Sequence, residues 1–156
     1  MEARIDYYSN PVTVKFAKYI NSAGRALADA SLPDGIGNLI MIRASQINGC
    51  GVCTDMHTKD ALHADETPVR VALVAAWRDT TVFTEPERAA LALTEAGTRL
   101  ADSAGVPDDV WDAARKHFDD DQLAALVSLI ALINAYNRMN AIPRIPGGSY
   151  QPGAWS

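Results

Sequence analysis

The two cysteines of this chain and one histidine stand at a spacing that suits thiol redox chemistry. Cys50 and Cys53 are three residues apart, and His57 follows four residues after the second. Residues three and four apart share one face of an α-helix, so a helix over this segment would bring both thiols and the imidazole together. A cysteine at a helix N-terminus is stabilised as a thiolate by free N–H groups and the helix dipole. The spacing therefore predicts a redox-active pair beside a histidine.

A metal site and an attached haem are the competing explanations of this motif. Zinc takes four protein ligands in structural sites and three in catalytic ones, and the further imidazoles are His63 and His117, which we expect at surface or core positions. Haem attachment needs a histidine directly after the second cysteine, where this chain has Thr54. The helix start and the nearby His57 also disfavour two inert, buried thiols. We expect no metal and no cofactor.

Composition indicates one folded domain over residues 1–156, because 48% of the residues are apolar and this length buries roughly two thirds of the unfolded surface. The net charge of −5, without a dense Lys/Arg run, disfavours nucleic acid and anionic membranes as partners. The chain shows no apolar run of roughly 18 residues and no signal peptide at its start. We expect a cytoplasmic protein, where a purely structural disulfide is unusual.

Helical periodicity along the chain predicts an all-α fold of six or seven helices. Residues 1–10 are predicted to form an irregular arm, and residues 143–156, rich in Pro and Gly, an irregular tail. Asn48-Gly49 is a helix-ending signal that places Cys50 at the next helix start. The predicted helices run from Pro11 to about Ala30, Ile36 to about Ile47, Val52 to His63, Pro68 through Trp77, Thr84 to about Ala104, Pro107 to Phe118 and Asp119 to Pro143.

Apolar surface on two of these helices predicts self-association. The helix before Cys50 is apolar almost all round, and the last helix carries a long apolar stripe. Exposed apolar patches of several hundred Å² are rare on monomers, so we expect a homo-oligomer. Trp77 and Trp111 are predicted in the core, whereas Trp155 in the tail is expected to pack on a neighbouring subunit.

The segment around the cysteines resembles the AhpD-like alkylhydroperoxidase, carboxymuconolactone decarboxylase superfamily, and the likeness spans most of residues 35–140. The resemblance implies an AhpD-like helical bundle, frequent trimers or hexamers, and a thiol peroxidase site of Cys50, Cys53 and His57 without metal or organic cofactor. The matching segments are Ile42–Thr58, Ala76–Arg78, Phe83–Glu85, Glu87–Glu95 and Leu132–Arg138.

The leading hypothesis is a peroxidase that cycles a Cys50–Cys53 disulfide. His57 lies one helical turn after Cys53 and can take its proton. Cys53 would attack a small hydroperoxide and become a sulfenic acid, and Cys50 would resolve it to the disulfide. The two cysteines could exchange these roles, because Cys50 is nearer the helix N-terminus. A dithiol must reduce the pair again, and the family implies a lipoyl or thioredoxin-like donor.

One residue departs from the family pattern. Active peroxidases of the family carry a glutamate twelve residues before the first cysteine, where this chain has Asn38. An amide cannot exchange protons near neutral pH, so the family's proton relay is interrupted. The candidate replacements for this glutamate are Glu95 and Asp55. Glu95 could instead be a helix-surface charge, and Asp55 is expected to face away from the thiols. The alternative function is a non-catalytic or redox-sensing oligomer; a lactone decarboxylase is disfavoured because it needs no cysteine pair.

Overall fold

The computed structural model describes residues 2–27 and 32–154, and within them the all-α prediction is confirmed. These residues form seven α-helices and two short 3₁₀ helices, with no strand. No helix among them is long and apolar enough to cross a membrane. The α-helices are α1 (Pro11–Ala26), α2 (Ile36–Ile47), α3 (Gly51–His63), α4 (Pro68–Leu73), α5 (Glu85–Thr98), α6 (Asp108–Arg115) and α7 (Asp120–Ala141), and the 3₁₀ helices are Val74–Asp79 and Leu100–Asp102.

Capping residues place the first and last helices where the sequence predicts them. The Asn10 side chain accepts a hydrogen bond from the Val12 N–H, and Pro11 occupies the first helical position of α1. At the start of α7, the Asp119 carboxylate accepts from the Gln122 N–H at 2.8 Å. The predicted end of α1 near Ala30 lies outside the described residues.

Three predicted helices are shorter than their periodicity indicates. The prediction from Pro68 through Trp77 is wrong in part, because α4 gives way to a 3₁₀ helix in which Ala76 leaves helical geometry. The Arg88 guanidinium explains how this turn is tolerated, since it donates to the carbonyl oxygens of Trp77 and Thr80 at 2.9 and 3.0 Å. The other two helices end at Thr98 and Arg115, before the predicted Ala104 and Phe118.

The second helix, α2, forms the centre of the bundle. Ile36 and Ile40 on one face join a hydrophobic cluster with residues of α5, α6 and α7. Leu39 and Ile42 on the other face join a second cluster with α3, α5 and the first 3₁₀ helix. The chain therefore covers α2 itself, which explains why this helix is apolar all round. The prediction that α2 offers surface to a second copy is wrong.

The exposed apolar surface lies instead on α1. In the single chain the outward-facing apolar side chains of α1 are each more than half exposed. The apolar stripe of α7 is largely covered, and Val127 is its exposed member. These exposed α1 residues are Val12, Val14, Phe16 and Tyr19. The apolar surface that favours self-association thus lies on α1. Sequence periodicity describes this helix as an ordinary amphipathic one.

Candidate thiol redox site

A tight turn between α2 and α3 places Cys50 at the start of α3. Gly49 adopts a left-handed conformation, with φ of 63°, which glycine reaches without a steric cost. The Cys50 N–H donates to the Ser45 carbonyl at 3.0 Å, and the Gly49 N–H donates to the Gln46 carbonyl at 3.3 Å. This pair of bonds is the Schellman arrangement that satisfies the last carbonyls of a helix. The predicted helix-ending role of Asn48-Gly49 is confirmed.

Cys50 and Cys53 are joined by a disulfide bond in the structure, with their Cα atoms 5.4 Å apart. Cys50 is the N-cap residue of α3, and its Sγ accepts the Cys53 N–H at 3.4 Å. Both side chains are buried, at 1% and 2% exposure. The predicted cysteine pair is therefore brought together at a helix N-terminus, where a negative sulfur is stabilised once the disulfide is opened.

His57 lies on α3 one turn after Cys53, as the sequence spacing requires, and is 7% exposed. Burial lowers the pKa of His57 to about 4, although the negative charge of Asp60 opposes the shift. The imidazole is therefore neutral at pH 7 and available to accept a proton. In the disulfide form no thiolate faces it, and a thiolate formed on reduction would favour the imidazolium.

The buried His57 makes stability depend on pH. Its pKa of about 4 in the folded protein lies below the usual 6.5, so the unfolded chain binds more protons between these values. We expect the free energy of unfolding to fall as pH is lowered through this window, by about 3 kcal/mol in total from this group. Urea unfolding at about pH 7 and about pH 4.5 measures the loss. His57→Gln, which cannot titrate, should show a smaller loss; an equal loss in both proteins would contradict the assignment.

Three asparagines of α7 face the cysteine turn, although their residue types alone do not mark them as site residues. Asn48, at the end of α2, donates to the side-chain oxygens of Asn134 and Asn137 at 2.9 and 2.8 Å. Asn137 donates in turn to Ser45 Oγ at 3.0 Å, and Asn140 contacts the Cys53 sulfur. The sequence does contain a pattern that could have identified them. These amides recur at a spacing of three on an otherwise apolar helix face, and buried amides are normally hydrogen-bonded.

The tail after α7 crosses the N-terminus of α3 and covers the disulfide. Ile145 packs against Cys50, Val52 and Cys53. Gly147 approaches so closely that an added Cβ would lie 2.7 Å from the Gly51 carbonyl oxygen. Part of the burial of the cysteines therefore comes from this crossing segment.

Polar contacts hold the tail on α3. The Gly148 N–H donates to Asp55 at 2.8 Å, and Lys59 donates to the carbonyl oxygens of Gly148 and Tyr150 at 3.1 and 2.9 Å. The Tyr150 hydroxyl donates to Asp60 at 2.8 Å. Residues 143–154, predicted to belong to an irregular tail, form turns and irregular structure and are bound along α3. Trp155 lies outside the described residues.

Glu95 belongs to a buried ion cluster, so its interpretation as a helix-surface charge is wrong. Its carboxylate accepts from Arg43 Nε at 2.7 Å and from Trp77 Nε1 at 3.0 Å, and it pairs with Arg78. Burial raises the pKa of Glu95, but the hydrogen bonds from Arg78, Trp77 and Arg43 outweigh it and hold the pKa below its usual value. Glu95 is therefore ionised and committed to these three residues.

The structure also places Asp55, the other candidate replacement, and Asn38, which occupies the position of the family glutamate. The Asp55 carboxylate forms an ion pair with Lys59 at 2.7 Å and holds the tail, and the hydrogen bond from Lys59 lowers its pKa. Asn38 is half-buried on α2, seven residues before Ser45 and so on the face that meets α7. The carboxylates considered as replacements for the missing glutamate are thus engaged in structural contacts.

The remaining histidines lie at the surface, and the described tryptophans pack in the hydrophobic core. His63 and His117 are exposed. Trp77 is buried in the core as predicted, in the cluster that contains Leu39 and Ile42. Trp111 is partly buried against the other cluster, which contains Ile36 and Ile40. Over residues 2–27 and 32–154, no three His, Cys, Asp or Glu side chains form a group that could hold a metal ion.

Comparison with known proteins identifies the family. Residues 15–96 match the carboxymuconolactone decarboxylase family. The uncharacterized protein YdfG of Bacillus subtilis is 36% identical over 140 residues, which cover 90% of this chain and 93% of YdfG.

Solved structures share the fold. A protein of unknown function from Agrobacterium tumefaciens, suggested to be the antioxidant defence protein AhpD, superposes with a TM-score of 0.89 and 31% identity over 96% of this chain and all of that one. An uncharacterized peroxidase-related protein from Ralstonia eutropha with an AhpD core has a TM-score of 0.76 at 19% identity, over 87% of this chain and 72% of that one. At this identity the likeness shows only that the two proteins share a fold. By sequence and fold, the chain belongs to the AhpD-like, carboxymuconolactone decarboxylase superfamily.

Proposed function

We propose that this protein is a thiol-dependent peroxidase of the cytoplasm that cycles the Cys50–Cys53 disulfide and reduces small hydroperoxides. The observation that carries the proposal is the intramolecular disulfide at the N-terminus of α3, one turn from a buried neutral histidine. A pair that closes a bond within one helical turn can open and close without rearranging the bundle. The family membership supports the same chemistry.

The proposed reaction proceeds in two thiol steps. His57 accepts the proton of Cys53, and the thiolate attacks one peroxide oxygen, so that an S–O bond forms while the O–O bond breaks and the alkoxide leaves as an alcohol after taking a proton. The Cys50 thiolate then attacks the sulfenic sulfur of Cys53, forming the disulfide and releasing water. The peroxide is reduced by two electrons that come from the two thiols. An external dithiol, of the lipoyl or thioredoxin-like kind, restores them by exchange.

Peroxide consumption by the purified, reduced protein tests this function. With a dithiol supplied as electron source, we expect turnover in the natural protein and none above the uncatalysed rate in Cys53→Ser. Without added dithiol, reduced Cys50→Ser should consume one equivalent of peroxide and stop at the sulfenic acid, because it lacks the resolving thiol. His57→Ala should slow the reaction by roughly 10²-fold, the lower end of general-base contributions. Equal consumption by all four proteins would show that the cysteine pair does not carry the reaction.

The second candidate is a non-catalytic, redox-sensing member of the family, and Asn38 is the observation that favours it. Without an acidic residue at that position, and with Glu95 and Asp55 held by cations, a relay to His57 lacks its proton-exchanging group. A sensor would form the disulfide once on exposure to oxidant and would show no turnover with any added dithiol. The peroxide assay therefore separates the two candidates.

We also propose that the protein is a homo-oligomer, as a trimer or hexamer, assembled through α1. The exposed side chains of this helix would be covered by a second copy. Light scattering at micromolar concentration should give a mass well above the 16.8 kDa of one chain. Phe16→Glu should lower that mass, while Lys116→Glu, at the exposed end of α6, should leave it unchanged. A monomer mass for the natural protein would contradict the proposal.

A further inference from the structure

The side chain of Asn140, near the end of α7, contacts a sulfur of the cysteine pair. Its Nδ2 lies 3.5 Å from Cys53 Sγ and 2.9 Å from the carbonyl oxygen of Tyr136, and the residue is 8% exposed. A carbonyl oxygen accepts hydrogen bonds and cannot donate them, so the amide must present its nitrogen on this side. One N–H then bonds Tyr136 and the other is directed to the sulfur.

Tyr8, in the arm that precedes α1, holds the opposite end of this amide. The Tyr8 hydroxyl donates to Asn140 Oδ1 at 2.7 Å. The arm is itself attached beside α7, because the Arg4 backbone N–H donates to the Pro143 carbonyl at 2.8 Å and its guanidinium donates to the Ile142 carbonyl at 3.0 Å. The amide of Asn140 therefore has a partner for its oxygen and for each N–H, which fixes its orientation.

The surroundings of Cys53 make this neutral donor important. In the disulfide form His57 is uncharged at pH 7, because burial lowers its pKa, and burial raises the pKa of Tyr8, so its phenol is uncharged too. In the part of the chain that the structure describes, Asn140 is the side chain that donates a hydrogen bond to the Cys53 sulfur. Hydrogen bonds to an ionised partner are about twice as strong as neutral ones, and they favour the charged form of that partner.

We propose that Asn140 is a catalytic residue whose N–H stabilises the Cys53 thiolate and makes Cys53 the attacking sulfur, and that Tyr8 is the positioning residue that holds the amide. The inference rests on the proposed function, since it concerns the thiol that would attack peroxide. Cys50 lacks this donor and keeps the resolving role. A contact from the N-terminal arm thus controls the reactivity of a thiol on α3.

The acidity of Cys53 tests this inference without any peroxide. In the Cys50→Ser background, the rate of alkylation by iodoacetamide against pH reports the Cys53 pKa alone. Asn140→Ala should raise that pKa and slow alkylation near neutral pH about tenfold, which corresponds to one pKa unit. Asn140→Asp should raise it further, because a carboxylate repels the thiolate. Tyr8→Phe should act in the same direction but more weakly, and Tyr7→Phe, which keeps the Tyr8 hydroxyl, is the matched control.

Two results would overturn the inference. One is an unchanged Cys53 pKa in Asn140→Ala and Tyr8→Phe, with circular dichroism showing that both are folded. The other is a shift that appears instead in Cys50, measured in the Cys53→Ser background. If the Cys53 pKa moves as expected while the natural protein consumes no peroxide, the proposed function fails and the role of Asn140 stands. If peroxide is consumed and the pKa does not move, the role of Asn140 fails alone.

Discussion

Replacing Asn38 by glutamate is expected to raise peroxide turnover about tenfold or more, a cautious fraction of the roughly 10²–10⁴-fold that general acid–base assistance contributes. Asn38 is half-buried on the face of α2 that meets α7, and the expected gain requires that the new carboxylate reach His57 directly or through one water. An amide at this position cannot exchange a proton. Turnover measured across about pH 5 to 9 covers the range in which His and Cys titrate.

Asn38→Gln is the matched control, because it has the shape of glutamate without the ionisable group. We expect no gain in this variant, and a loss in the double variant Asn38→Glu, His57→Ala relative to Asn38→Glu alone. A natural protein that already turns over rapidly and is slowed by Asn38→Glu would contradict the account of the relay. Inactivity of both the natural protein and Asn38→Glu would favour the redox-sensing candidate.

Replacing Glu95 by glutamine is expected to lower the free energy of unfolding by about 3 kcal/mol, the size typical of breaking a buried ion pair. The substitution leaves the buried Arg43 guanidinium without its negative partner, in a site where Glu95 is 8% exposed. Arg78, which also loses its partner, has a side chain that is 56% exposed and remains hydrated. The ion cluster joins α2, α5 and the first 3₁₀ helix, so its loss affects the packing around Trp77. Urea unfolding at pH 7 measures the change.

Asp102→Asn is the control for this prediction, since it removes an exposed ion pair with Arg99, whose atoms are 3.8 Å apart. Exposed pairs typically contribute less than about 1 kcal/mol. A loss in Glu95→Gln no larger than in this control would show that the buried cluster does not stabilise the fold. Where Glu95→Gln is folded, the oxidation rate of its thiols should match that of the natural protein; a collapse of that rate would return Glu95 to the role of proton relay.

Local signals in the sequence were sufficient to predict most of the framework. The caps at Asn10 and Asp119 and the turn at Asn48-Gly49 act within a few residues, so the starts of α1, α7 and α3 could be predicted from neighbours in the chain. The proximity of the cysteines and the position of His57 one turn after Cys53 follow from helical spacing along α3, so they could be predicted from neighbours in the chain as well.

Contacts between distant parts of the chain could not be predicted in the same way. The 3₁₀ turn at Ala76 persists because Arg88, on another helix, binds its carbonyl oxygens. Asn140 meets Cys53 across 87 residues, and Tyr8 meets Asn140 across 132. Periodicity shows which face of a helix is apolar but not which helix covers it. The apolar surface of α2 was therefore expected to meet a second copy, whereas helices of the same chain cover it.

The most direct test of the central claim is the mass of the reduced protein after one equivalent of hydrogen peroxide. We expect a loss of two hydrogens per chain, mapped by peptide analysis to a Cys50–Cys53 bond and reversed by dithiothreitol. In Cys50→Ser, the same treatment should leave a sulfenic acid on Cys53 that dimedone traps. Thiols that stay unmodified, or that form only bonds between chains, would contradict the redox pair on which the whole account depends.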